Sequence, residues 1–478
     1  MQSTEHDQVL DRLESILREV WDDHPADGQV DREASFLRLG VDSITLVTLL
    51  DKVEAEFRVT WDHDSPPGPH SSLRSVADLV TVNGRGMADL SGDAETVLAW
   101  FRRMRAQAPV NYDEGSRAWH VFGYADVARV LSDPATFSSD FSGLTSAQKD
   151  VDLFSRGNII RKDPPAHRKL RTLVSRAFTP RVVDKLAPRI GALTSELLDA
   201  MNGAEEVELV SDLAFPLPVI VITELLGIPA EDRTLFRRWA EALVSSDGQV
   251  GLIPNEERVR AMATVMSEMN PYCLEHIRSR RARPRDDLMS ELVAAEVDGQ
   301  RLGDEEMVGF VSLLLLAGHI TTTVLLGNSV LCLDEHPDSA ATLRSDPSGL
   351  PAMIEEVLRH RTPLAPVTRM TTRQVQLGDH TVPAGRMVVT WLASANRDER
   401  QFPDPDRFDI RRHPNAHLSF GHGIHFCLGA PLARLEARIA LGMIVSRWTE
   451  FSVGEGAEFH DPRGIFGPKR LPLHVRWA

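Results

Sequence analysis

The run VSLLLLAGHITTTVLLGNSVLCL, residues 311–333, sets the tightest condition on the fold. It is long and apolar enough to span a bilayer. Its flanks are acidic, Asp304-Glu305-Glu306 before it and Asp334-Glu335 after it, so neither end carries a basic anchor. His319, Thr321, Thr322 and Thr323 form a polar group at its centre. A helix that is apolar on every side needs lipid or protein around it, and these flanks and this polar centre favour protein. The run is therefore expected to be the buried helix of a large soluble domain, with no membrane partner. The 478 residues are 42% hydrophobic and 26% charged, which is ample for such a core.

Charge divides the chain. Residues 1–82 carry a balance of −10, while the rest carries −6 of the total −16. An acidic module ahead of a near-balanced one predicts two domains. Nucleic-acid binding, which calls for basic stripes, is not expected. Three unpaired cysteines and a charged N-terminus without an apolar core predict a cytoplasmic protein without disulfides.

The strongest chemical signal is FGHGIHFCLGAPLARLEARIAL, residues 420–441. Glycines flank Cys427, and a helical pattern follows it. Free N–H groups and the positive end of a helix dipole favour a thiolate. Such a thiolate is a metal ligand or a nucleophile, although no cysteine-protease context accompanies it.

From Phe420 to Gly429 this loop resembles the cysteine-ligand loop of the cytochrome P-450 superfamily, of the soluble bacterial type. The resemblance extends over residues 94–478 and implies a mainly helical fold with small β-sheets. It further implies that Cys427 is the axial ligand of haem (heme b) iron, a ligand that favours O–O cleavage. His167, Arg171, Arg369 and His425 match positions that bind the haem propionates. Glu356 and Arg359, three apart on one helix, match a structural pair that the family locks to an arginine, here Arg407 in Pro405-Asp406-Arg407-Phe408. Arg161, Lys162, Arg168, Lys169 and Arg176 form a basic segment that, by the same resemblance, faces an acidic ferredoxin. Without a flavin or nicotinamide fingerprint, electrons are expected from an external ferredoxin and ferredoxin reductase.

The chain departs from the family in Ala317-Gly318-His319-Ile320-Thr321-Thr322. The family has an acid where Ile320 stands. Thr321 keeps the hydroxyl implied in proton delivery, and is the expected catalytic residue. His319 points about 100° away around the helix and is expected to be a packed, hydrogen-bonded side chain. Proton delivery would then use water or the substrate. The Arg-Pro pair of peroxide-using relatives is missing, so a peroxygenase is the lesser alternative.

Near the start, Leu39-Gly40-Val41-Asp42-Ser43-Ile44 resembles the modification loop of acyl or peptidyl carrier domains over residues 5–82, with 83–93 as a linker. The resemblance implies phosphopantetheine on Ser43, with Asp42 helping to orient the modifying enzyme. An N-capping Asp-Ser pair explains the same residues without modification. Helical spacing predicts Val9, Leu13, Ile16, Leu17 and Val20 inward on one helix, and Ile44, Val47, Leu50, Val53 and Phe57 inward on the next.

Together these readings predict a small helical bundle (1–82) ahead of a haem-thiolate monooxygenase (94–478). The enzyme would hydroxylate or epoxidise an acyl or aminoacyl group held as a carrier thioester, alongside assembly-line proteins. The alternatives are oxidation of a free small molecule, with the first module used only for docking, and a non-catalytic recruitment partner. Residues 138–158, 239–258 and 362–370 are the expected pocket segments.

Overall fold

A computed structural model describes residues 3–21, 30–32, 34–57, 71–74, 76–77, 80, 94–141, 149–175, 178–245, 256–297 and 299–478. The expected linker 83–93, Arg176, and parts of the expected pocket segments (142–148 and 246–255) lie outside the described residues. Packing separates two compact units. One comprises Met1–Gln107 and Asp113–Arg117; the other comprises Ala108–Tyr112 and Ala118–Ala478.

The first unit contains helices α1 (Ser3–Val20) and α2 (Ser43–Phe57). Leu10, Leu13, Ile16 and Leu17 of α1 are buried against Leu46, Leu49, Leu50 and Val53 of α2, together with Phe36, Leu73 and Val76. The expected inward face of α2 needs correction. Ile44 and Val47 are 81% and 58% exposed. The buried stripe is 46, 49, 50 and 53, an i, i+3, i+4, i+7 set that leaves 44 and 47 on the opposite side. The two helices are tied by Arg12, whose guanidinium donates to both oxygens of Glu56.

The second unit is mostly helical. Four of its helices position the site: α3 (Ala166–Ser175), α4 (Asp304–Glu335), α5 (Leu350–His360) and α6 (Ala430–Arg447). The apolar run forms the middle of α4, and 67% of its most apolar stretch is buried in the domain. Its acidic start is neutralised by protein. Asp304 pairs with Arg281 at 2.9 Å, Glu305 with Arg156, and Glu306 with Lys169 at 2.9 Å. One crossing is backbone on backbone. A Cβ on Gly309 would lie 2.5 Å from the Gly157 nitrogen, and one on Gly157 would lie 2.0 Å from the Glu306 carbonyl. Neither position admits a side chain.

A five-stranded sheet flanks the helices. Its strands are β1 (Val110–Asp113), β2 (Ala118–Val121), β3 (Phe137–Ser138), β4 (Pro366–Thr371) and β5 (Met387–Trp391), in the order β1-β2-β5-β4-β3. The β3–β4 register puts Ser138 opposite Met370, so Ser139 leaves the sheet beside Arg369. A second sheet joins Trp448–Val453, Pro472–Trp477 and Glu206–Glu208.

Candidate active site

The loop before α6 is built on turns that demand glycine. Gly421 and Gly423 have φ of +73° and +70°. Gly423 also passes so close to Leu131 and Ser132 that a Cβ would come within 2.9 Å of backbone atoms. These glycines set the path of the loop. The Cys427 N–H donates to the Phe420 carbonyl at 2.8 Å, closing the loop. The N–H groups of Gly429 and Ala430 point at the Cys427 sulfur, and Arg171 and Arg434 add positive charge. Even so, burial pushes the free thiol up. The helix N-terminus alone does not outweigh desolvation here, so a bound cation is what would hold the sulfur as thiolate.

On α4, Ala317 is exposed and Thr321, one turn later, is half-buried, in the middle of an otherwise buried helix. The two share a face. Thr321 Oγ1 donates to the Ala317 carbonyl at 3.1 Å. His319 is buried on another face. Its Nδ1 lies 2.8 Å from the Leu315 carbonyl, and its ring packs edge-on to Phe215 at 5.6 Å. Burial pushes it down to about 4, so it is neutral, in agreement with the packed role expected of it.

His167, Arg171, Arg369 and His425 converge. The His167 and His425 rings lie 4.4 Å apart, and His425 Nε2 is 3.0 Å from Ser139 Oγ. Burial, then Arg369, His167 and Arg171, push His425 down to about 3. Burial and the neighbouring Arg161 push Arg369 down to about 10. Buried His167 Nε2 has no hydrogen-bond partner. Among the described residues no carboxylate is hydrogen-bonded to any of these four side chains. The nearby Asp163 instead accepts from Ser138 Oγ and, at 2.9 Å, from the Ser139 N–H. Desolvated donors that repel one another, with an orphaned imidazole nitrogen among them, fit a ligand bearing carboxylates. This donor set beside a sulfur in an N–H nest fits haem.

The arginine partner of the Glu356–Arg359 pair is corrected. Arg359 holds Glu356 by two 2.8 Å bonds, and both side chains are fully buried. The second guanidinium on Glu356 is that of Arg412, whose Nε is 3.0 Å from Glu356 Oε1. Arg407 is exposed and contributes only its carbonyl, 3.1 Å from Arg359 Nη2. The chain turns after Phe408, which carries residue 412 back onto α5 while residue 407 faces out. Asp409 N and Asn415 Nδ2 complete the shell of Glu356 at 2.9 and 3.1 Å. Glu356→Ala strands two guanidinium groups in the core and is expected to cost about 3–5 kcal/mol. Urea denaturation of the haem-loaded protein measures it; a loss below about 1 kcal/mol would place the pair among surface ion pairs. Arg412 was not singled out from sequence, Ser139 was covered only by the expected pocket segment 138–158, and Arg161, expected on the basic ferredoxin-facing segment, is instead half-buried against Phe141. Each reaches the site through folding rather than through its own motif.

The fold and site define a haem-thiolate protein, and comparison with known proteins agrees. The family profile described as Cytochrome P450 matches residues 349–463. The chain is 46% identical over 378 residues to the cyclomarin C epoxidase CymV of Salinispora arenicola, covering 79% of this chain and 95% of that protein. It is 46% identical over 392 residues to the erythromycin C-12 hydroxylase of Saccharopolyspora erythraea, covering 81% and 96%. Among solved structures, P450 EryK in complex with erythromycin B superposes with a TM-score of 0.73 at 44% identity, covering 80% of this chain and 96% of that one. HmtN, a post-tailoring hydroxylase involved in himastatin biosynthesis, gives 0.70 at 45%, covering 79% and 96%. The chain belongs to the cytochrome P450 family and is an oxidoreductase of the monooxygenase type. Each of these matches spans about four-fifths of it.

Proposed function

We propose that this protein hydroxylates or epoxidises a small secondary-metabolite substrate presented as a thioester on Ser43. The haem supplies activation of dioxygen and transfer of one oxygen atom to carbon. Cys427 ligates the iron, and His167, Arg171, Arg369 and His425 hold the propionates. The observation that carries this assignment is the cluster of donors around His167, none of them hydrogen-bonded to a carboxylate among the described residues, with the orphaned His167 Nε2. Similarity to the cyclomarin C epoxidase, to the erythromycin C-12 hydroxylase and to a post-tailoring hydroxylase of himastatin biosynthesis supports a tailoring role. Electrons come from a ferredoxin and its reductase, which the exposed basic residue Arg168 favours by charge.

Thr321 Oγ1 carries the proton that serves the reaction, and Ile320 beside it has none to give. The proton must therefore reach Thr321 through water or a polar group of the substrate. Thr321→Ala is expected to lower the ratio of product to reductant consumed by about tenfold or more. Ile320→Glu is expected to leave turnover less dependent on substrate structure. Coupling measured with ferredoxin and reductase decides: unaltered coupling in Thr321→Ala removes the hydroxyl from the route. Faster turnover with peroxide alone would favour the peroxygenase alternative.

The tethering half rests on Ser43 at the start of α2. Ser43 is exposed, and among the described residues its hydroxyl has no hydrogen-bond partner, while Asp42 caps the helix by accepting from Ile44 N (2.9 Å) and Thr45 N (2.8 Å). Capping thus occupies the acid and leaves the nucleophile free. Intact-protein mass spectrometry after incubation with coenzyme A and a phosphopantetheinyl transferase tests it. The expected result is one added phosphopantetheine; an unmodified chain leaves the oxidation of a free small molecule.

A further inference from the structure

The four side chains matched to the propionates are not the only hydrogen-bond donors at their site. Arg161 ends a short 3₁₀ turn, Ile159–Arg161, just before α3. Its guanidinium carbon lies 4.4 Å from the ring centroid of Phe141. Two residues before Phe141 stands Ser139, whose Oγ is 3.0 Å from His425 Nε2. Two residues after Arg161 stands Asp163, whose carboxylate takes the Ser139 N–H at 2.9 Å. The segment carrying Arg161 is thereby pinned to the end of β3, beside Arg369 on β4.

Resting on the haem assignment above, we infer that Arg161 is a fifth member of the propionate cradle, a carboxylate-binding residue laid against Phe141. Among the described residues no carboxylate pairs with Arg161, and Asp163 is committed to Ser138 and Ser139. Charge balance points the same way. Of the four matched side chains only Arg171 and Arg369 carry a guanidinium group, and Arg171 is shared with the sulfur of Cys427. Two propionates then need a second guanidinium besides Arg369, and Arg161 is the one adjoining it. Burial depresses Arg161, and its charge depresses Arg369. This mutual repulsion is relieved when carboxylates lie between them. The aromatic face below fixes the guanidinium plane for a two-point bond.

The test compares Arg161→Gln and Arg161→Lys with the wild-type holoenzyme. Haem release is followed by transfer to excess apomyoglobin, and the haem midpoint potential by spectroelectrochemistry. Arg161→Gln should release haem about 10- to 100-fold faster, the worth of a charge-assisted hydrogen bond. Its potential should fall, because losing a nearby cation favours the ferric state. Arg161→Lys, which keeps the charge, should recover most of the potential. Wild-type release and potential in Arg161→Gln would overturn the inference. So would equal losses in both variants, which would assign the residue to packing on Phe141. Unchanged release with a raised KM confined to carboxylate-bearing substrates would overturn it too and assign the guanidinium to the substrate. A wild-type protein that takes up no haem would instead defeat the underlying haem assignment before any variant is compared.

Discussion

Cys427→Ala is expected to abolish monooxygenase activity and the red-shifted Soret band of the reduced, CO-treated protein. The sulfur sits where the Gly429 and Ala430 N–H groups and Arg171 converge, and no other described cysteine shares that environment. Cys273 and Cys332 are buried, and desolvation pushes both thiols up to about 12. Neither can stand in as a thiolate. Folding should survive, because one sulfur is removed from a loop held by the Cys427 N–H to Phe420 bond, which alanine retains. A stability change of about 1 kcal/mol is expected. The measurements are the CO difference spectrum, haem content and unfolding midpoint on the same preparation. A normal thiolate-type band in the variant would remove Cys427 from the iron. Cys427→Ser refines the result, since a hard oxygen ligand should bind haem without restoring the band.

Ser43→Ala is expected to eliminate product from tethered substrate while leaving haem binding unaltered. Ser43 is exposed at the first turn of α2, so the change should alter stability by no more than about 0.5 kcal/mol. A short flexible tether gives an effective concentration on the order of millimolar, enough to make weak intrinsic affinity sufficient. Loading substrate onto the modified protein and diluting it separates two routes. Delivery to the same chain's haem gives a rate per enzyme independent of dilution, whereas delivery to another copy gives a rate that falls with it. If Ser43→Ala processes the physiological substrate as fast as wild type, tethering plays no part in turnover.

Much of this was legible in the primary structure because its signals are local. The apolar run 311–333 read as a core helix because its acidic flanks and central polar group suit a protein interior better than a bilayer. The Phe420–Gly429 loop announced its sulfur because left-handed turns at Gly421 and Gly423 need glycine whatever surrounds them. Glu356 and Arg359 were readable as a pair because three residues of helix bring them together. Tertiary structure decided what depends on chains meeting from afar. Two arginines five residues apart, Arg407 and Arg412, are equivalent by composition, and only the turn after Phe408 puts Arg412 on Glu356 and leaves Arg407 in solvent. In the first unit the spacing of α2 permitted two apolar stripes, and packing against α1 selected Leu46, Leu49, Leu50 and Val53 over Ile44 and Val47. The shift of the free Cys427 thiol likewise depends on depth: helix-end polarity is a local property, but desolvation belongs to the whole domain and is the larger of the two.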